Sequence, residues 1–322
     1  MRIGAYFSSF IEFTITYYRH SLLFCTLFAI FTLPCIASDK NKRLLLVYDN
    51  NALYAKSLEF FEQNGTFKGF EVYKIYYDNF SPSLYKLDSE TRILTIGTDA
   101  TLKVASLSSA DSNILALFVT RSTYGFVKKK YPNLYLDAIT LDQPIERVVD
   151  FAIRSLNSPG ELGFLLGPSS IHLRQAIEAV LEQKNVKAYF SVIKDESNSA
   201  QELKKFLVQK VPVVAIPDSV AYSPRNAKWL LYMAYQQRVP VVGFSPAFIR
   251  AGAISAIYST PEQILLQAAD IFTNNIRLSS DKQGQSYDPK EFSVEYNDAI
   301  YKSLKIRKPD EGSLLDIMRG KK

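Results

Sequence analysis

From Leu44 onward the chain alternates short apolar runs with longer stretches whose apolar positions recur every three or four residues. The runs Leu44–Tyr48, Val72–Tyr76, Ile93–Ile96, Leu115–Val119 and Leu136–Thr140 predict five strands. Short apolar runs bounded by turn residues suit strands covered on both faces. Between them, Leu53, Ser57, Leu58 and Phe61 keep helical spacing, and Gly97-Thr98-Asp99 is expected to cap a helix beginning near Ala100. Leu141-Asp142-Gln143-Pro144 then reads as a crossing into a second lobe. There the rhythm repeats, with runs at Leu162–Leu166, Ala188–Ile193, Val213–Ile216, Val241–Phe244 and Ala253–Tyr258. The intervening helices show one apolar face each, for example Ile145, Val148, Val149, Ala152 and Leu156. Strand-helix alternation of this kind predicts an α/β protein with parallel sheets and helices on both faces.

Each predicted strand ends in a polar loop. These loops hold Asp49, Thr98, Thr120 with Arg121 and Tyr124, Ser169, Asp218 with Ser219, and Ser245. Open α/β sheets build ligand sites at the carboxyl ends of their strands, so these nine residues are the candidate ligand-binding set. Tyr48, Tyr124, Phe126, Tyr222 and Phe244 stand nearby and could wall an apolar pocket. The helix N-termini after the loops offer unpaired N–H groups to a carboxylate, and Arg121 could add a bidentate partner. Each hydroxyl or carboxylate has an equally good reading as a helix cap.

The richest stretch is PVVGFSPAFIRAGAISAIYSTPEQILLQAA, residues 240–269. It resembles PVFGFSxAYVKAGALAxYSSDPEQIGRQAA of the uncharacterised, tryptophan-binding-like family of ABC-transporter substrate-binding proteins. That family belongs to the type I periplasmic-binding superfamily. Asn297-Asp298-Ala299-Ile300-Tyr301-Lys302-Ser303-Leu304-Lys305-Ile306 is similar to the family's closing Asn-x-x-Val-Ala-Arg-x-Leu-Gly-Ile, with Lys305 in place of glycine. Weaker likeness runs from residue 43 to residue 306. The resemblance implies two Rossmann-like lobes joined by a multi-strand hinge near Thr140–Asp142, Tyr258–Thr260 and the link before Phe292. Lobe one would comprise residues 38–141 and 259–286, and lobe two residues 142–258 and 287–306. Residues 307–322 are expected to form a flexible, charged tail. Thr98, Asp218, Ser219 and Ser245 match the family's cleft positions best, whereas Thr120, Arg121 and Tyr124 depart from its acidic Asp-Pro loop.

The first residues change the picture of where the protein works. Arg19-His20 precedes an uncharged apolar run from Ser21, broken by Pro34 and closed by Cys35-x-Ala37. That order is expected for a cleavable signal peptide over residues 1–37, with a retained membrane anchor as the other reading. Removal of this segment takes both cysteines, leaving no thiol chemistry and no disulfide. The net charge of +6 falls to +5, because Arg2, Arg19 and Glu12 leave together. So small an excess, without a dense basic run, does not point to nucleic acid.

Chemistry for turnover is sparse. His172 would be the sole remaining histidine, too few for a multi-histidine metal site. Gly243-x-Ser245-x-Ala247 looks like a nucleophile elbow, but no histidine follows it to act as base. The expectation is therefore a non-enzymatic, monomeric protein without cofactor or metal. The resemblance implies that it captures a small polar or amino-acid-like solute in the interlobe cleft and delivers it to an inner-membrane ABC permease with its cytoplasmic ATPase. A periplasmic sensor or scaffold of the same fold is the alternative. Alanine at both Asp218 and Ser245 is expected to weaken binding without unfolding the chain.

Overall fold

Strand β1 (Lys42–Tyr48) lies one strand in from the edge of the first of two six-stranded sheets. The computed structural model describes residues 42–49, 59, 67, 69–85, 87, 91–109, 112–273 and 284–320. The expected signal segment and the helix carrying Leu53 to Phe61 lie outside these residues.

Sheet one adds β2 (Phe70–Tyr76), β3 (Thr91–Ile96), β4 (Asn113–Val119) and β5 (Leu136–Thr140), with β11 (Ser286–Tyr287) at its far edge. Its order is β11-β5-β4-β3-β1-β2 and every pair is parallel. Among the described residues, two α-helices follow strands here, α1 (Thr98–Leu107) and α2 (Arg121–Lys130). The α1 cap is Gly97, at φ 95°, so the helix starts at Thr98 rather than near Ala100. Alternate side chains of β1 serve opposite faces. Leu44 and Leu46 pack with Ile264, Leu265 and Ala268 of α8 (Pro261–Thr273), while Leu45 and Val47 join Val104 and Val127 on the other side.

Sheet two contains β6 (Glu161–Leu166), β7 (Lys187–Val192), β8 (Val213–Val214), β9 (Val241–Gly243), β10 (Ser255–Tyr258) and β12 (Ser293–Tyr296). Its order is β12-β10-β9-β8-β6-β7, parallel except for β12 against β10. Around it lie α3 (Ile145–Ser155), α4 (Arg174–Gln183), α5 (Ser199–Val208), α6 (Pro224–Gln236), the short α7 (Pro246–Arg250) and α9 (Asp298–Leu304). Leu162, Phe164 and Leu166 face Phe151 and Ile177, whereas Leu165 and Val213 face Phe206 and Leu230.

The chain passes between the sheets three times, after β5, after β10 and between β11 and β12. Glu311–Met318 forms a further helix, α10, and Leu314 is buried against the core that includes Phe151. The expected frayed tail is thus replaced in part by a packed helix. Leu314 is its one deeply buried residue, with Leu315 and Met318 packed beside it against the same core.

Candidate functional site

Both sheets share one topological feature. β1 lies between β2 and β3, and β6 lies between β7 and β8, so consecutive connections leave in opposite directions and open a crevice at the strands' carboxyl ends. In sheet one that crevice holds Asp49 and Gly97. Gly97 adopts φ 95°, where a side chain would be strained, and an added methyl group would also displace the Asp49 carboxylate. In sheet two the same relation recurs, with Asp218 over Gly167.

The Asp218 carboxylate is fully occupied. One oxygen accepts from the N–H and hydroxyl of Ser169, at 3.0 and 2.8 Å, and from those of Ser170, both at 2.9 Å. The other accepts from the N–H groups of Val220 and Ala221, at 2.9 Å each. Burial favours the neutral acid, but these donors outweigh it and hold the group below the usual carboxylate range. Asp218 and Ser169 therefore clamp the loop after β6 to the loop after β8. Alanine at Asp218, expected to leave the chain folded, would remove this clamp and so carries a cost in stability.

The other candidates are distributed as follows. Thr120 caps α2 by accepting from the Thr123 N–H at 3.1 Å. The Tyr124 hydroxyl donates to the Gly284 carbonyl at 3.3 Å. Thr98 and Ser219 are exposed. Ser245 opens α7 without a side-chain cap, half-buried beside Phe244. Arg121 is the one member of the set that lines the cavity between the two sheets.

That cavity, of about 320 Å³, lies at the carboxyl ends of β5, β8 and β9, beneath the first crossing between the sheets. Apolar walls come from Val148, Leu173, Ile216, Phe244 and Ile257, and the polar lining is Arg121, Asp142, Gln143, Glu146, His172 and Asp288. The Arg121 guanidinium pairs with Asp288, and its backbone N–H donates to Asp142 at 2.7 Å. A register shift between Leu117 and Val119, with Phe118 at φ 58°, bends the end of β4 just before this loop. Burial pushes the Asp142 carboxyl up, against the pull of the Arg121 N–H and guanidinium.

Beside the cavity, side chains tie the three crossings together. Gln143 Nε2 donates to Ser259 Oγ at 2.8 Å, and that hydroxyl donates to the Glu291 carbonyl at 2.6 Å. Arg147 reaches Gln143 Oε1 at 2.7 Å and the Pro289 carbonyl at 2.8 Å, with its guanidinium over the Phe292 ring. Asp142, Glu146, His172 and Asp288 were absent from the candidate set. Asp142 was findable by the rule used elsewhere, since it ends a strand. Glu146, His172 and Asp288 carried no such mark, because only packing brings their segments together.

No protein-family model matches the chain, and no curated protein matches it. Solved structures do. A conserved domain protein from Vibrio cholerae aligns with a TM-score of 0.57 at 16% identity, over 86% of this chain and 98% of that one. An ABC domain in complex with L-Trp from Streptococcus pneumoniae gives 0.56 at 13%, over 85% and 98%. A ligand-free, open substrate-binding protein with adhesive properties from Clostridium difficile gives 0.58 at 15%, over 84% and 96%. The fold is the two-lobed, type I periplasmic-binding α/β fold.

Proposed function

We propose that this chain is a solute-binding protein that holds a small molecule in the cavity at the hinge between its lobes. The observation that carries the reading is the cavity itself, apolar-walled and bordered by polar groups from both lobes and from two of the three crossings. Concave sites of roughly 300–1,000 Å³ with apolar walls and few polar groups are typical of small-molecule binding. A ligand touching both lobes favours the closed arrangement through its differential affinity alone. The fold shared with the L-Trp complex supports the same reading. In this proposal the protein acts without turnover, outside the inner membrane, and passes its ligand to an ABC permease.

Thermal unfolding of the protein against amino acids, sugars, purines and small acids tests the proposal. Ligand at roughly a thousand times its dissociation constant adds about 4 kcal/mol, enough to raise the midpoint by several degrees. A shift confined to one chemical class supports solute capture. A flat response from folded, ligand-free protein moves the reading to a sensor or scaffold of the same fold.

A further inference from the structure

Helix α6 carries an aromatic stripe that its own core does not use. Its inner face, Leu230, Leu231 and Ala234, is buried. On the outer side Trp229, Tyr232 and Tyr235 are 45%, 66% and 46% exposed. They are spaced three apart and so share one side of the helix. Arg225 and Lys228, both exposed, precede Trp229 and Tyr232 by four residues and stand on that side too. From Ser219 to Pro261 the chain has no Asp or Glu, while Arg225, Lys228, Arg238 and Arg250 supply positive charge. The neighbouring α9 touches the stripe where Tyr235 meets Ser303 at 3.2 Å, and adds the exposed Lys302. The acid of that helix, Asp298, is paired with Lys308 at 2.7 Å.

We infer that this face docks on an anionic phospholipid surface. Isolated exposed aromatics are ordinary, but a basic, acid-free stripe of three is not. Trp and Tyr rings prefer the headgroup layer, where an apolar body and a polar edge are both satisfied. Lys and Arg beside them gain from the negative potential of anionic lipid. The three rings lie on the outer side of one helix, a geometry that suits an extended surface. Docking here would hold the protein at the membrane through residues that do not line the cavity.

Trp229 is the only tryptophan in the sequence, so its emission reports on this face whatever the remainder of the chain does. The full chain is titrated with vesicles of phosphatidylglycerol and phosphatidylcholine, and with phosphatidylcholine alone. The expected result is a blue shift and quenching by brominated acyl chains on the anionic vesicles only, reversed by salt. Replacing Arg225, Lys228 and Arg238 by glutamine should lower partition by about a hundredfold, near five-fold per residue. Tyr232→Ser keeps the reporter and should weaken partition several-fold. Unchanged emission on anionic vesicles, even with co-sedimentation of the chain, overturns the inference, as does an equal shift on neutral lipid. A shift that grows with protein concentration in the absence of vesicles also overturns it, assigning the face to a second copy of the chain. None of these outcomes bears on ligand-induced thermal shifts.

Discussion

Asp218 shows how a single carboxylate at a strand end can hold two loops together. It ends a strand in a polar loop, as a binding residue should, yet six hydrogen bonds from its own neighbours consume its acceptor capacity. Asp218→Ala should therefore destabilise the fold by about 2–4 kcal/mol in chemical denaturation, through lost charged hydrogen bonds and stranded donors. Because its folded pKa is depressed from 3.8, its contribution is present above that value and is lost as pH falls through the folded pKa. Asp137 behaves in the opposite sense. It is fully buried on β5, accepts from the Gln285 N–H at 2.8 Å, and has one carboxylate oxygen without a hydrogen-bond partner. Burial raises it to about 6, against the Gln285 N–H and the Tyr135 hydroxyl. The native state then holds a proton that the unfolded chain has released, so stability falls as pH rises from about 4 to 6. Asp137→Asn should flatten that slope and gain about 1–2 kcal/mol at pH 7, read from denaturation midpoints across the range.

At the level of elements, the joins carry more information than the strands. Helix α9 ends at Lys305, which adopts φ 58° and ψ 34°. A left-handed cap of this kind favours glycine, because a Cβ crowds the backbone there. The family motif that this segment resembles has glycine at the same place, which gives that glycine a physical reason. Lys305→Gly should stabilise the protein by about 0.5–1 kcal/mol in urea unfolding, with the cavity untouched. The three crossings likewise act as a unit, since Ser259 links Gln143 to the Glu291 carbonyl.

For the whole molecule, two sheets with the same reversed strand order put two crevices into one compact unit, and the cavity forms where the crossings bring segments of both lobes together. Ala176 is exposed in the first turns of α4 and lines that cavity. Ala176→Trp should fill much of the space. The expected outcome is an unfolding midpoint within about two degrees of the parent and loss of the ligand-induced shift. A retained shift would place the ligand elsewhere.

Fold class was legible in the sequence because burial on both sheet faces writes itself locally, as apolar runs separated by helical periodicity. Leu44 to Val47 and Leu162 to Leu166 needed no tertiary knowledge to be read as strands. The polar strand ends were legible too, including Asp49, Arg121 and Asp218. Which of them face a cavity was not. Whether a carboxylate meets solvent, a ligand or six neighbouring donors depends on loops 48 residues apart, as between Ser170 and Asp218. The meeting of Arg121 with Asp288 spans 167 residues, and no local pattern encodes it. Local hydrophobicity determined the elements, and long-range packing alone decided which polar groups satisfy one another and which line the cavity.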